Sequence, residues 1–71
     1  MQTVDARGLS CPEPVLRTRN ALRRLPSGEE LEVLVDTVTS RENVLRMAQK
    51  EGCQVTVEET PEGFRLRIRK P

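Results

Sequence analysis

Cys11 and Cys53 are the two thiols of a 71-residue chain that contains no histidine. Whatever a cysteine does here, it does without an imidazole base. Cys11 stands in the stretch DARGLSCPEPVL, Asp5 through Leu16, directly before two prolines spaced one residue apart. If a helix begins near Pro12, Cys11 takes the N-cap, Pro12 the N1 and Pro14 the N3 position. Proline is tolerated there because first-turn N–H groups have no intrahelical acceptor. The two rings stiffen the helix entrance and remove two donors. The partial positive charge of the helix start favours a thiolate, Glu13 opposes it, and Arg7 is a further candidate for activating the thiol. An exposed thiolate at a rigid helix start is a nucleophile's setting. The opposing reading is a small buried hydrophobe, which is how most single cysteines behave.

The elements that must position this thiol follow from periodicity. Thr3–Ala6 reads as a short strand, and Arg7–Ser10 as a loop in which Gly8 is free to take a positive φ. From Pro12 to Leu25, Val15, Leu16, Leu22 and Leu25 recur with helical spacing. Pro26–Glu30 turns the chain, and Glu30–Asp36 alternates with Leu31, Val33 and Val35 on one side. Thr39 with Glu42 fits a capping box for a second helix, with Val44, Leu45 and Ala48 as core contacts and Gly52 as its C′ residue. Cys53–Glu59 and Phe64–Lys70 both alternate around the turn sequence TPEG, the pattern of an antiparallel hairpin. The order is βαβαββ over residues 1–71, one domain without repeats or linker. The expected fold is a two-layer α/β sandwich, a mixed four-stranded sheet with two helices on one face. The pattern leaves the strand order open.

Composition narrows the function classes. A net charge of +1 gives no strong pull toward nucleic acid or acidic membranes. Two cysteines form no disulfide scaffold, and without histidine they fall short of a structural zinc site. The single aromatic residue offers no stacking platform for bases, so sequence-specific RNA binding is not expected. No secretory signal or membrane-length apolar run is visible, and the expected setting is the reducing cytoplasm. No cofactor is implied.

The stretch DARGLSCPEPVLRTRNAL resembles the signature of the TusA/SirA/YedF-like sulfur-carrier family, whose mark is C-P-x-P after D-x-x-G-L. VDTVTSRENVLRMAQKEG resembles that family's acidic loop and second helix, nearest the YedF-like branch. The resemblance covers the whole chain in the family's element order. It implies a two-layer α/β sandwich that carries sulfane sulfur as a persulfide on Cys11, with Pro12 and Pro14 as motif prolines. It also implies a donor protein, a cysteine desulfurase or rhodanese-like enzyme, and an acceptor protein. The expected role is that of a carrier rather than a stand-alone catalyst. The acceptor pathways known in the family include tRNA thiolation, molybdenum-cofactor synthesis and sulfur oxidation, with selenium-related roles suspected for the YedF-like branch, and nothing in the sequence selects among them.

Other residues carry two readings each. Asp5 is expected to shape the loop, Arg7 to shape it or tune the thiol, and Gly8 to serve backbone conformation. Asp36 either approaches the Cys11 helix start or forms a strand-end turn. Asn43 and Arg46 are candidates for partner docking against the default of a solvated helix face. Cys53, directly after Gly52, reads as a buried, inert thiol; as a resolving partner for Cys11 it would make a disulfide switch. A regulatory module that binds its partner without covalent chemistry is the remaining alternative. Arg65, Arg67 and Arg69 read as the solvated side of a one-faced sheet, with Glu58 as a cross-strand partner. A monomer is favoured.

Overall fold

Leu31, Val33 and Val35 are fully buried while Glu30, Glu32 and Leu34 between them are half-buried, the period-two pattern of a strand covered on one face. The computed structural model describes residues 2–10 and 12–71. Its elements are β1 (Gln2–Asp5), α1 (Glu13–Arg24), β2 (Glu30–Val35), α2 (Val38–Lys50), β3 (Gln54–Thr60) and β4 (Gly63–Arg69), each within about one residue of its expected bounds except at the start of α2. The sheet runs β1-β2-β4-β3, with β1 parallel to β2 and β4 antiparallel to both of its neighbours. Val4, Val33, Leu66 and Val57 form one row across it.

This order resolves what the sequence left open. The crossovers from β1 to β2 and from β2 to β3 step the same way across the sheet. Right-handed connections then place both helices on one face. Beneath them lies a single core that includes Ala6, Leu22, Leu31, Val33, Val44, Ala48, Leu66 and Ile68.

Three local expectations need correction. The N-cap of α1 is Pro12 and its first helical residue is Glu13, so Pro14 falls at N2 rather than N3. The cap position expected for Cys11 is therefore held by Pro12, and Cys11 itself lies outside the described residues. Second, α1 buries Pro14, Thr18 and Leu22, four residues apart, whereas Leu16 is 43% exposed. Thr18 can be buried because its hydroxyl donates to the Pro14 carbonyl at 2.8 Å. Third, α2 is capped by Thr37, not Thr39: the Thr37 hydroxyl accepts from the Ser40 amide at 3.1 Å. Glu42 instead lies 3.9 Å from Arg41.

The other helix ends are closed by specific bonds. At the end of α2, Gly52 takes φ 81°, its amide donates to Gln49 O at 3.0 Å, and the Cys53 amide donates to Ala48 O at 3.0 Å. Those two bonds are the Schellman pattern expected from Gly52 at C′. At the end of α1, the Lys70 ammonium donates to the carbonyls of Leu22 and Leu25 at 2.9 and 2.8 Å. A cation there also opposes the negative end of the helix dipole.

Candidate functional site

Parallel β1 and β2 end side by side, Asp5 opposite Leu34, and ligand sites in α/β sheets form outside such carboxyl ends. The connection that leaves β1 is a short loop leading to Pro12. Its first residue, Ala6, is fully buried, and the Ala6 amide prolongs the ladder by donating to Leu34 O at 2.8 Å. Beyond it the loop is exposed and held by two carboxylates.

The first is Asp5. The Arg7 guanidinium donates to both Asp5 oxygens, from Nε to Oδ1 and from Nη2 to Oδ2, each at 2.9 Å, and the Arg7 amide donates to Oδ1 at 3.2 Å. This bidentate pairing and the amide bond lower the Asp5 carboxyl to about 2. Arg7 is held more firmly protonated in return, chiefly by Asp5 and further by Glu62 and Asp36. Its charge is thus committed to Asp5, which weakens the reading of Arg7 as the group that activates a thiol.

The second carboxylate is Asp36, directly after β2. Its Oδ2 accepts from the Gly8 amide at 2.8 Å, across 28 residues of sequence, while Gly8 takes φ 78°. Asp36 thus stands at the end of β2 and also reaches the loop before α1.

The start of α1 completes the end of the sheet. The Glu13 amide donates to Ser10 O at 3.0 Å, and Pro12 and Pro14 have no N–H, so three of the first four positions offer no donor to a ligand. Glu13 pairs with Arg17 at 3.5 Å on the exposed surface.

Several contacts at this end had no part in the sequence reading. The β3–β4 turn is Pro61-Glu62, and Gly63 after it takes φ 148°. A Cβ at Gly63 would meet the Val35 carbonyl oxygen and lie 2.7 Å from Asp36 Cα. Glycine there lets the hairpin close onto the segment that carries Asp36. The Arg41 guanidinium stacks over the Phe64 ring at 4.7 Å, tying the first turn of α2 to β4. No spacing in the sequence announces either contact.

Asn43 is half-buried within α2, and Arg46 is exposed about 12 Å along the axis from Val38. Cys53 is buried at the far end of the sheet, where Gln54 pairs with Arg69, and carries a free thiol. Burial, then Glu51, pushes its pKa up against a smaller opposing effect of Lys70.

The family model described as Sulfurtransferase TusA matches residues 2–70. This chain belongs to the TusA family. It is 45% identical over 71 residues to a candidate sulfur carrier protein of Methanocaldococcus jannaschii, covering 99% of this chain and 95% of that one. A candidate sulfur carrier of Bacillus subtilis is 40% identical over 67 residues, covering 94% and 88%. The crystal structure of a SirA-like protein from Desulfitobacterium hafniense superposes with a TM-score of 0.89 at 40% identity, covering 96% of this chain and 95% of that chain. The TusA-family α/β fold and a general sulfur-carrier role follow from these likenesses. Among the described residues no helix is long and apolar enough to cross a membrane.

Proposed function

We propose that this chain relays sulfane sulfur as a persulfide on Cys11, taken from a cysteine desulfurase or rhodanese-like donor and passed to an acceptor protein. The supporting observation is the anchored loop between β1 and α1. Asp5, Arg7, Gly8 and Asp36 hold the residues that lead into the C-P-E-P stretch at the carboxyl ends of parallel strands. The chemistry needs a nucleophile and a docked donor. The Cys11 thiolate attacks the outer sulfur of the donor's persulfide, the donor's S–S bond breaks, and the donor thiolate leaves. The product is Cys11-S-SH, which the acceptor's thiolate attacks in the same way. No net oxidation occurs, and no histidine is required.

Cys53 takes no part in this relay. It is buried with a raised pKa, which speaks against it as a resolving thiol. The test is intact and peptide mass spectrometry after incubating the reduced chain with a cysteine desulfurase, L-cysteine and pyridoxal phosphate, or with a rhodanese and thiosulfate. The expected result is a one-sulfur gain on Cys11 that disappears in Cys11→Ser and persists in Cys53→Ala. Sulfur on Cys53 alone, or no gain from either donor, overturns the reading.

A further inference from the structure

The sheet is open at β3, and the alternation of backbone groups across it fixes what that edge offers. The Ala6 amide donates to Leu34 O, so on β2 the backbone of Leu34 faces β1 and that of Leu31, Val33 and Val35 faces β4. Their partners Ile68, Leu66 and Phe64 face back toward β2. Arg65, Arg67 and Arg69 then turn their backbone groups toward β3, where Glu58, Thr56 and Gln54 answer them. The N–H and C=O groups of Val55, Val57 and Glu59 therefore point out of the sheet, and among the described residues no loop or cap bonds them. Natural edges are blunted by short length, lysine, proline or bulges. β1, the opposite edge, is four residues long, whereas β3 runs for seven without lysine, proline or a break in its register. On the helix-covered face Val55 is half-buried and Val57 stays 38% exposed.

We propose that β3 pairs with β3 of a second copy of this chain, antiparallel about a two-fold axis, joining two four-stranded sheets into one. What selects a second copy is that QVTVEET complements itself. Outward residues must meet outward residues. In one register Val55 and Val57 of each copy exchange backbone bonds with Val57 and Val55 of the other. Thr56 then lies on the axis opposite its own counterpart, and Gln54 lies opposite Glu58 of the second copy, an amide beside a carboxylate. Centring the axis on Val57 instead would set each Val55 against Glu59, and centring it on Glu58 would set two carboxylates face to face. In the favoured register no carboxylate opposes another, and Glu58 already has Arg67 of its own chain at 3.7 Å. The apolar pair closes over the part of Val57 that α2 leaves exposed. Two strands separate β3 from β1, so both copies keep the Asp5–Gly8 loop outside the contact, and the pairing does not depend on the relay reading.

The experiment is analytical ultracentrifugation of the full chain carrying Cys11→Ser, from micromolar to millimolar concentration. The mass should rise from 8.1 kDa toward twice that value. Over the same range the Val55 and Val57 amides should gain about tenfold or more in protection from hydrogen exchange. Val57→Lys, which sets a charge at the edge, should stay at the mass of one chain, while Gln2→Lys at the β1 edge should associate like its parent. A cross-link keeps the test independent of how Val57→Lys folds. Thr56 faces its counterpart in a pair without hydrogen bonds, where Cα atoms stand about 4.5 Å apart, within disulfide reach. Thr56→Cys should therefore oxidise to a covalent dimer far faster than Thr60→Cys, which the register sets far from its own counterpart. A mass of one chain at every concentration overturns the proposal, even if another protein's strand then binds at β3. So does a dimer that survives in folded Val57→Lys, or one that cross-links no faster through Thr56→Cys than through Thr60→Cys, because the contact then lies elsewhere.

Discussion

Asp5 shows how one exposed residue organises the loop before α1. Its carboxylate accepts two side-chain bonds and one backbone bond from Arg7, and its pKa falls from 3.8 to about 2. A depressed carboxyl favours the folded state at pH above its unfolded pKa, and that contribution is lost as pH falls. The window here runs from 3.8 down to about 2. Carboxyl-detected NMR should find Asp5 titrating near the lower value, and Arg7→Gln should return it toward 3.8 by deleting the two guanidinium bonds. An Asp5 that titrates near 3.8 in the unaltered chain would mean the pair does not form in solution. Gly63 acts at the same scale through backbone. Pro61 fixes its own φ, and no non-glycine residue among those described has a positive φ, so the hairpin closes through Gly63 at φ 148°. Gly63→Ala forces a Cβ onto the Val35 carbonyl and should cost about 2 kcal/mol or more in urea unfolding. An unchanged midpoint would show that the turn can move away from β2.

At the scale of elements, the helix caps separate what periodicity reveals from what only tertiary contact decides. Gly52 at C′ was legible because a glycine after a helical pattern requires no knowledge of its surroundings. The α2 N-cap was misread because Thr39 with Glu42 satisfies the capping-box pattern, and Thr37 with Ser40 does not. The chain enters α2 directly from Asp36, and that short connection puts Thr37 rather than Thr39 in the extended conformation a cap needs. Thr37→Ala should therefore cost about 1 kcal/mol, and Thr39→Ala less than about 0.5, in paired urea titrations. Equal losses would return the cap to Thr39. The same division runs through the candidate site. Asp5, Arg7 and Gly8 were legible as one loop because they are neighbours in sequence. That Asp36 binds the Gly8 amide, that Arg41 covers Phe64 and that Lys70 closes α1 depends on strand order, which alternation does not encode. Leu16 shares the helical spacing of Val15, Leu22 and Leu25 yet is exposed for a related reason. A helical stripe is set by which turn meets the sheet, and α1 presents Pro14 and Thr18 there instead.

The whole molecule is a sheet with one covered and one bare face, and its two faces should answer differently to substitution. Under the helices, Leu66 sits fully buried between Val33 and Val57. Truncating such a side chain loses its transfer free energy and leaves a cavity that the surrounding row cannot close. On the bare face, the same strand carries Arg65 and Arg67, which reach diagonally across the register. Arg65 pairs with Glu32 at 3.3 Å and Arg67 with Glu58 at 3.7 Å, although Glu58 stands directly opposite Arg65. These guanidinium groups are partly solvated, so water replaces much of what each partner supplies. Leu66→Ala should cost about 3 kcal/mol, whereas Arg65→Gln and Arg67→Gln should each cost less than about 1 kcal/mol and lose even that in high salt. Urea midpoints of the three variants at low and high ionic strength make the comparison. If an arginine variant matched the loss at Leu66, the bare face would have to be a second packed surface, covered by something other than solvent. If the ordering holds, stability resides in the helix-covered face and the charged faces are free to serve encounter with partners, which is the division of labour a small carrier requires.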